Sequence, residues 1–391
     1  MTIPAAVANL AEEMTGWRRH LHARPELGFE EVETARFVAD RLRAFGIEVT
    51  EGVGRTGVVG TLRGRHGGGG RSIGLRADMD ALPMTEARAL PYASRAAGRM
   101  HACGHDGHMA TLLGAAAALA GTRDFAGAVH FIFQPAEEGR GGALAMLEDG
   151  LFDRFPCDEI YAYHNSERPF GQVVIYDDVV AAAADRFTIT VHGRGGHAAT
   201  PHLAIDPLPI AARILLAIEA LPGRLTNVSS PAVVTVGALH AGEAFNTIPD
   251  SATLTGTVRC FSEAVRQELQ RAIRKVAECE AEAHGARAEI EHETLFAATV
   301  NTAENARFVE EAARDVVAGD AIVRNPAPEL GSEDFSFMLQ RRPGCYFLIG
   351  QGDAEHQAIC HDVNYDFNDA ILPIGAAIFV RLVERRLAPG T

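Results

Sequence analysis

Residues 101–108 read His-Ala-Cys-Gly-His-Asp-Gly-His, which puts three imidazoles, one thiol and one carboxylate into eight positions ahead of an alanine-rich stretch. Donors of this kind, gathered so closely, suit a transition metal when a loop brings them to one point. Gly104 and Gly107 permit the sharp turns that such convergence requires. The less favoured reading of the segment alone is a helix N-cap at Asp106 with its histidines in water. A second cluster speaks for the metal. Phe133-Gln-Pro-Ala-Glu-Glu-Gly139 ends an apolar run with adjacent carboxylates. Neighbours on a regular strand point opposite ways, but on a loop one of Glu137 and Glu138 can bind an ion while the other faces a substrate as a base. Alone, that pair is also an ordinary first helical turn, where the dipole favours acids. His164 follows the apolar run 159–163, and Asp78 and Asp80 follow one that ends near Arg76.

The elements that must position these residues alternate. Apolar residues recur at helical spacing over 5–21 and 30–45, and β-rich runs follow at 58–62 and 72–76. A helix over 108–120, a strand over 129–133, a helix near 142–149 and a strand over 159–163 continue the pattern. Helices between apolar strands predict an α/β fold, a layered domain around a largely parallel sheet. Such sheets place their sites at the carboxyl edge of the strands, where the donors above fall. The glycine run 67–70 reads as a turn between strands.

After Ala184 the style changes. Phe187-Thr-Ile-Thr-Val191 alternates like a half-buried strand, and a helix near 209–221, strands over 232–239 and 252–259, a helix over 263–283 and a strand over 288–293 follow. The order β-α-β-β-α-β predicts an inserted α+β domain, a four-stranded antiparallel sheet with two helices on one face. The expected division is therefore 1–183 and 296–391 for the metal-bearing catalytic domain and 184–295 for the insertion. Helices near 305–317, 333–340 and 368–386 around a strand at 346–349 return to the first style.

Composition excludes several function classes. The 51 acidic residues outnumber 36 basic ones for a formal charge of −15, and no basic stripe could neutralise a phosphate backbone, so no nucleic-acid partner is expected. The start, MTIPAAVANLAEEM, lacks a basic flank and a long apolar stretch, which predicts a cytoplasmic protein with no membrane partner. The six cysteines form no CxxC pair, and all but Cys103 read as reduced, mostly core thiols. Gly193-Arg-Gly-Gly-His-Ala198 matches a dinucleotide-binding fingerprint and would suggest an NAD-dependent oxidoreductase. The helix that should open on those glycines is displaced by Thr200-Pro-His-Leu-Ala-Ile-Asp-Pro207, so the context fails.

The chain resembles the metal-dependent aminoacylases, hippurate hydrolases and indoleacetyl-amino-acid hydrolases, and more distantly the dinuclear zinc carboxypeptidases. The resemblance is carried by Arg18–Gly28, Ala77-Asp-Met-Asp80, the segments 101–108 and 134–138, Gly195-Gly-His197, Asn246-Thr-Ile-Pro249, Gly331-Ser-Glu-Asp-Phe335 and the segment around His361. It implies a metal-activated-water amidohydrolase of N-acyl-amino acids with two divalent ions per subunit, manganese or zinc first and cobalt or nickel as alternatives. It further implies Cys103 as the bridge between the ions, His105, Glu138, His164 and His361 as the other ligands, and Glu137 as the base. Asp80 matches a supporting aspartate behind His105. His197 is implied to reach a partner subunit's site, with Asn246 and Arg259 as contacts to the substrate's carbonyl and carboxylate. A homodimer through the inserted, lid-like domain follows. The related carboxypeptidases carry histidine where Asp78 stands and aspartate where Cys103 stands, so their ligand set does not transfer directly. The alternatives are a dipeptidase or carboxypeptidase on the same fold and, more remotely, a non-catalytic metal- or ligand-binding protein.

Overall fold

The computed structural model describes residues 1–67, 70–227 and 230–390. The turn expected at 67–70 lies in part outside them, at Gly68 and Gly69. The chain forms two compact units: Met1–Val180 with Val300–Ala327 and Asp334–Thr391, and Ala181–Thr299 with Pro328–Glu333. Pro328–Glu333 groups with the second unit, whereas the expected division gave everything after 295 to the first.

In the first unit eight strands form one sheet in the order Glu48–Val53, Gly57–Arg63, Ala128–Gln134, Ser72–Asp78, Glu159–Pro169, Gly344–Gly352, Val173–Ile175, Ile322–Arg324. The four central strands, Ala128–Gln134 through Gly344–Gly352 in that order, are mutually parallel. Antiparallel pairing appears only toward the two flanks. Every residue of Ser72–Asp78 and Ala128–Gln134 is buried, as continuous apolar runs require when helices cover both faces. The helix His105–Thr122 is buried nearly all round and packs on Ser72–Asp78 and against the helices Ala11–His22 and Leu372–Arg386. Its alanines let these elements approach closely.

Two boundaries bear on the site. The helix expected from 108 begins at His105, and the strand expected to stop at 163 runs to Pro169, so His164 lies within it rather than at its end. The expected first helix is interrupted between Ala5–Ala8 and Ala11–His22. All six cysteines are free, and Cys279 is exposed rather than core.

The second unit is a four-stranded antiparallel sheet in the order Ala232–Ala241, Ser251–Cys260, Ala183–His192, Arg287–Phe296. Burial alternates along Ser251–Cys260 and along the later half of Ala183–His192, as expected when one face is covered. The helices Pro207–Glu219 and Glu263–Ala283 pack on that face and against each other, enclosing Phe187, Ile189, Ile214, Leu254, Leu269 and Ile273. Asp206 caps the first helix, its carboxylate accepting the Leu208 amide at 3.0 Å. Among the described residues no helix is long and apolar enough to cross a membrane.

Candidate metal centre

At the carboxyl edge of the central strands the first unit brings Cys103, His105, Glu137, Glu138, His164 and His361 together. Two sets of potential ligand atoms lie each within 4.8 Å of one another: Cys103, His105 and His164, and Cys103, Glu138 and His361. They share one atom, the Cys103 sulfur, so the two sets adjoin at that atom. A third set, His105 with Glu137 and Glu138, borders the same space.

The histidine tautomers follow from the hydrogen bonds. His105 Nδ1 donates to the main-chain oxygen of Asp80 at 2.9 Å, and His164 Nδ1 donates to the main-chain oxygen of Asn165 at 2.7 Å. In the neutral rings both Nε2 lone pairs are then left for an ion. His164 Nε2 stands 3.4 Å from Cys103 Sγ. His105 Nε2 and Glu138 Oε1 are buried polar atoms without a hydrogen-bond partner. Glu138 Oε1 does face His361 Nε2 at 3.2 Å, though without the alignment of a hydrogen bond. Buried polar atoms are nearly always satisfied, so two orphans aimed into one cluster fit a pair of bound cations.

The surrounding chain holds these side chains in place. Gly104 has φ 94°, and a Cβ there would stand 2.2 Å from Asn165 Oδ1. Gly107 lies within the helix at ordinary φ; its lack of a side chain serves instead to admit the Phe367 ring, which a Cβ would meet at 2.3 Å. The role expected for Gly107 as a turn residue is therefore corrected. The His361 amide donates to the Ala102 oxygen at 2.7 Å, which ties the late loop to the Cys103 segment, and His361 itself adopts φ 68°. The Asp80 carboxylate accepts the amides of Glu137 and Glu138 at 3.0 Å each. Asp80 thus meets His105 chiefly through its main chain, while its carboxylate organises the glutamate loop.

Asp106 does not cap the helix, and none of the three histidines of 101–108 faces water. Asp106 is fully buried, 2.8 Å from His22 Nδ1 and 3.6 Å from Arg18, and the cap position is Gly104. His108 has both ring nitrogens engaged, at 2.6 Å with Asp78 Oδ1 and 2.8 Å with Asn165 Oδ1. Asp78 is in turn paired with Arg76 at 2.6 Å. Asp78, His105 and His108 also lie close enough to bind an ion, but the first and last are already committed to neighbours. Spacing alone does not distinguish His108 from His105, since one helical turn separates them; the difference lies in strands distant in sequence.

Burial and close charges shift these groups in different directions. The hydrogen bond with Cys360, burial and the Glu138 carboxylate push the Cys103 thiol well above its usual range. Divalent ions reverse that direction, because their charge favours the thiolate. Burial lowers His105, yet Asp78, the hydrogen bond to Asp80 and Glu138 outweigh it and push the imidazole up to about 10. Burial and neighbouring His108 hold His164 well below its ordinary value. The Glu138 carboxylate raises His361.

The residues expected from the insertion sit in the second unit and divide there. His197 and Asn246 are brought together by the short antiparallel pairing of Gly196–His197 with Thr247–Ile248, and the Ala198 amide donates to the Asn246 oxygen at 3.1 Å. Both residues are exposed. His197 Nδ1 accepts the Ala199 amide at 3.0 Å, so the neutral ring carries its proton on Nε2. Arg259 lies apart from them on Ser251–Cys260, half-buried, and donates to the Ser332 hydroxyl. Burial lowers its guanidinium pKa.

The profile of peptidase family M20/M25/M40 matches residues 74–385. A hippurate hydrolase of Campylobacter jejuni is 38% identical over 390 residues, which is 99% of this chain and 100% of that protein. Thermostable carboxypeptidase 2 of Saccharolobus solfataricus is 37% identical over 388 residues, 96% of this chain and 97% of its own. Among solved structures, the Bacillus subtilis YXEP protein, a dinuclear metal binding peptidase of the M20 family, superposes with a TM-score of 0.84 at 32% identity, covering 97% of this chain and 99% of that one. The chain belongs to peptidase family M20/M25/M40 and is a hydrolase of amide bonds.

Proposed function

We propose that the chain hydrolyses the N-acyl amide bond of N-acyl-amino acids, releasing a carboxylate and an amino acid, with two divalent ions held by Cys103, His105, Glu138, His164 and His361. The observation that carries this reading is the pair of ligand sets sharing the Cys103 sulfur, with buried His105 Nε2 and Glu138 Oε1 unpartnered beside it. Imidazole, carboxylate and a single thiolate suit zinc or manganese, with cobalt or nickel as further candidates. Such ions supply electrophilic polarisation of a carbonyl and acidify a water at neutral pH. Glu137, 6% exposed and beside the ligands, accepts the proton of the attacking water and returns it to the leaving amine. His197 Nε2–H donates to the oxygen on which charge develops, and Asn246 binds the same carbonyl group. Arg259 offers its fork to the substrate carboxylate.

His197 belongs to a unit other than the one that bears the ligands, and the sheet that carries its neighbours leaves Ala232–Ala241 and Arg287–Phe296 as edge strands. Pairing such edges between two copies would cover them, so the working form is a homodimer in which His197 serves the partner's site. Similarity to a hippurate hydrolase favours N-acyl-amino acids, and similarity to a carboxypeptidase makes peptides the alternative. Chelation, add-back of single metals, and turnover of acetyl-, benzoyl- and indoleacetyl-amino acids beside N-blocked dipeptides test the reading. Metal-independent turnover, or hydrolysis of the dipeptides alone, would overturn it.

A further inference from the structure

The segment that carries Glu137 and Glu138 is irregular, and its amides are bound from outside. Ala136 has φ 54°, a left-handed conformation unfavourable to any residue with a Cβ. Its amide donates to Glu31 Oε1 at 2.8 Å, and the next two amides donate to Asp80. Three successive amides thus end on two carboxyl groups supplied by distant parts of the first unit. Asp80 follows a central strand, and its placement there is legible in the sequence. Glu31 carries no such signal: it precedes the helix Val32–Ala44 and is 0% exposed.

The other oxygen of Glu31 takes the Thr56 hydroxyl at 2.6 Å, so the partners on its two oxygens are an amide and a hydroxyl rather than a cation. Burial raises its pKa. A carboxyl buried without a counter-charge is unfavourable, and what Glu31 provides in this place is an acceptor for Ala136. Gly28 closes the other side, since a Cβ there would stand 3.0 Å from Ala136 Cα and Cβ.

We propose that Glu31 is a positioning residue for hydrolysis: by holding the Ala136 amide it locks the left-handed turn from which Glu137 and Glu138 project. This rests on the function proposed above. Displacement of a base by about 1 Å costs on the order of 10²-fold in rate, so a lock on the preceding turn acts on turnover rather than on substrate binding.

The test compares Glu31→Ala with Glu31→Gln in metal-loaded protein. Glutamine keeps an acceptor for Ala136 and a group that hydrogen-bonds Thr56; alanine keeps neither. Glu31→Ala is expected to lower kcat by about 10–100-fold with KM within about threefold and both ions bound, while Glu31→Gln keeps about half of kcat or more. Amide exchange over residues 136–139, read by mass spectrometry, is expected to speed about tenfold or more in Glu31→Ala and to stay near wild type in Glu31→Gln. Unchanged exchange and kcat in folded Glu31→Ala overturn the inference, as does a Glu31→Gln variant equally impaired. Should Glu31→Ala fail to fold, Thr56→Val is expected to speed the same exchange a few-fold, and no change there overturns it too. A wild type that hydrolyses none of the panel sinks the proposed function, while the exchange result still decides the role of Glu31.

Discussion

The metal-type cluster of the first unit and the His197–Asn246 bridge of the second differ in how far their own fold prepares them. In the first, His105 and Glu137 are buried, Cys103, Glu138 and His164 are half-buried and only His361 is exposed, with several far sides fixed by main-chain carbonyls and by a buried carboxylate. In the second, two exposed polar residues sit on a two-residue strand pairing, with the His197 ring held by the Ala199 amide. Buried donors pay their desolvation in the folded chain and wait for an ion. Exposed ones stay solvated until a substrate or a neighbouring chain covers them. Disruption of the first region should therefore show as lost metal, and disruption of the second as lost turnover with the metal retained.

The largest expected effect would break the comparison if it failed. Cys103→Ala removes the atom common to both ligand sets and is expected to empty the site and reduce activity to background; His361→Ala is expected to do the same for at least one ion. Elemental analysis after gel filtration reads this, and a variant with two ions and full turnover would remove its residue from the site. Glu137→Gln sharpens the division between the neighbouring glutamates: both ions stay and kcat falls by about 10²–10⁴. Loss of metal without a further catalytic defect would show the two roles to be exchanged.

His197→Ala probes the exposed region, with an expected loss of about 10²–10³ in kcat at full metal content, the usual worth of a single donor to developing charge. Co-refolding His197→Ala with Glu137→Gln chains asks whose site it serves. Sharing across subunits gives heterodimers with one intact site and about half of wild-type activity per heterodimer. Absence of recovery would place His197 in its own chain's site.

The smallest effect concerns stability rather than turnover. His22 lies between Asp106 at 2.8 Å and Glu86 at 3.3 Å, with Arg18, His101 and Tyr92 around it, and these carboxylates outweigh burial to raise it to about 9. A histidine whose pKa is raised on folding stabilises fully below its unfolded value near 6.5, and that contribution is lost as pH rises through about 9. Denaturant midpoints measured between pH 6 and 9.5 should fall with at most about 3 kcal/mol lost, and Glu86→Gln should flatten the fall. A midpoint independent of pH over that window would contradict the charged pairing.

Residue types and periodicity determined a good deal by themselves. The short continuous apolar runs at 72–78 and 128–134 fit central strands, the alternating run at 251–260 fits a half-covered one, and the order of the two kinds separates a layered α/β unit from an α+β insertion. Donor-rich segments at the ends of central strands mark an edge where a site can stand. Tertiary structure alone decided which donors are free. His105 and His108 are one turn apart on the same helix, yet only the second hydrogen-bonds Asp78 and Asn165 on other strands, and of the two only the first keeps a ring nitrogen without a hydrogen-bond partner. Glu31 and Asp106 gave no sign of their partners, because hydrogen bonds across 105 and 84 residues depend on where the chain returns in space, which no local spacing encodes. The return of Pro328–Glu333 to the second unit is of the same kind, a choice made by packing between segments far apart in sequence.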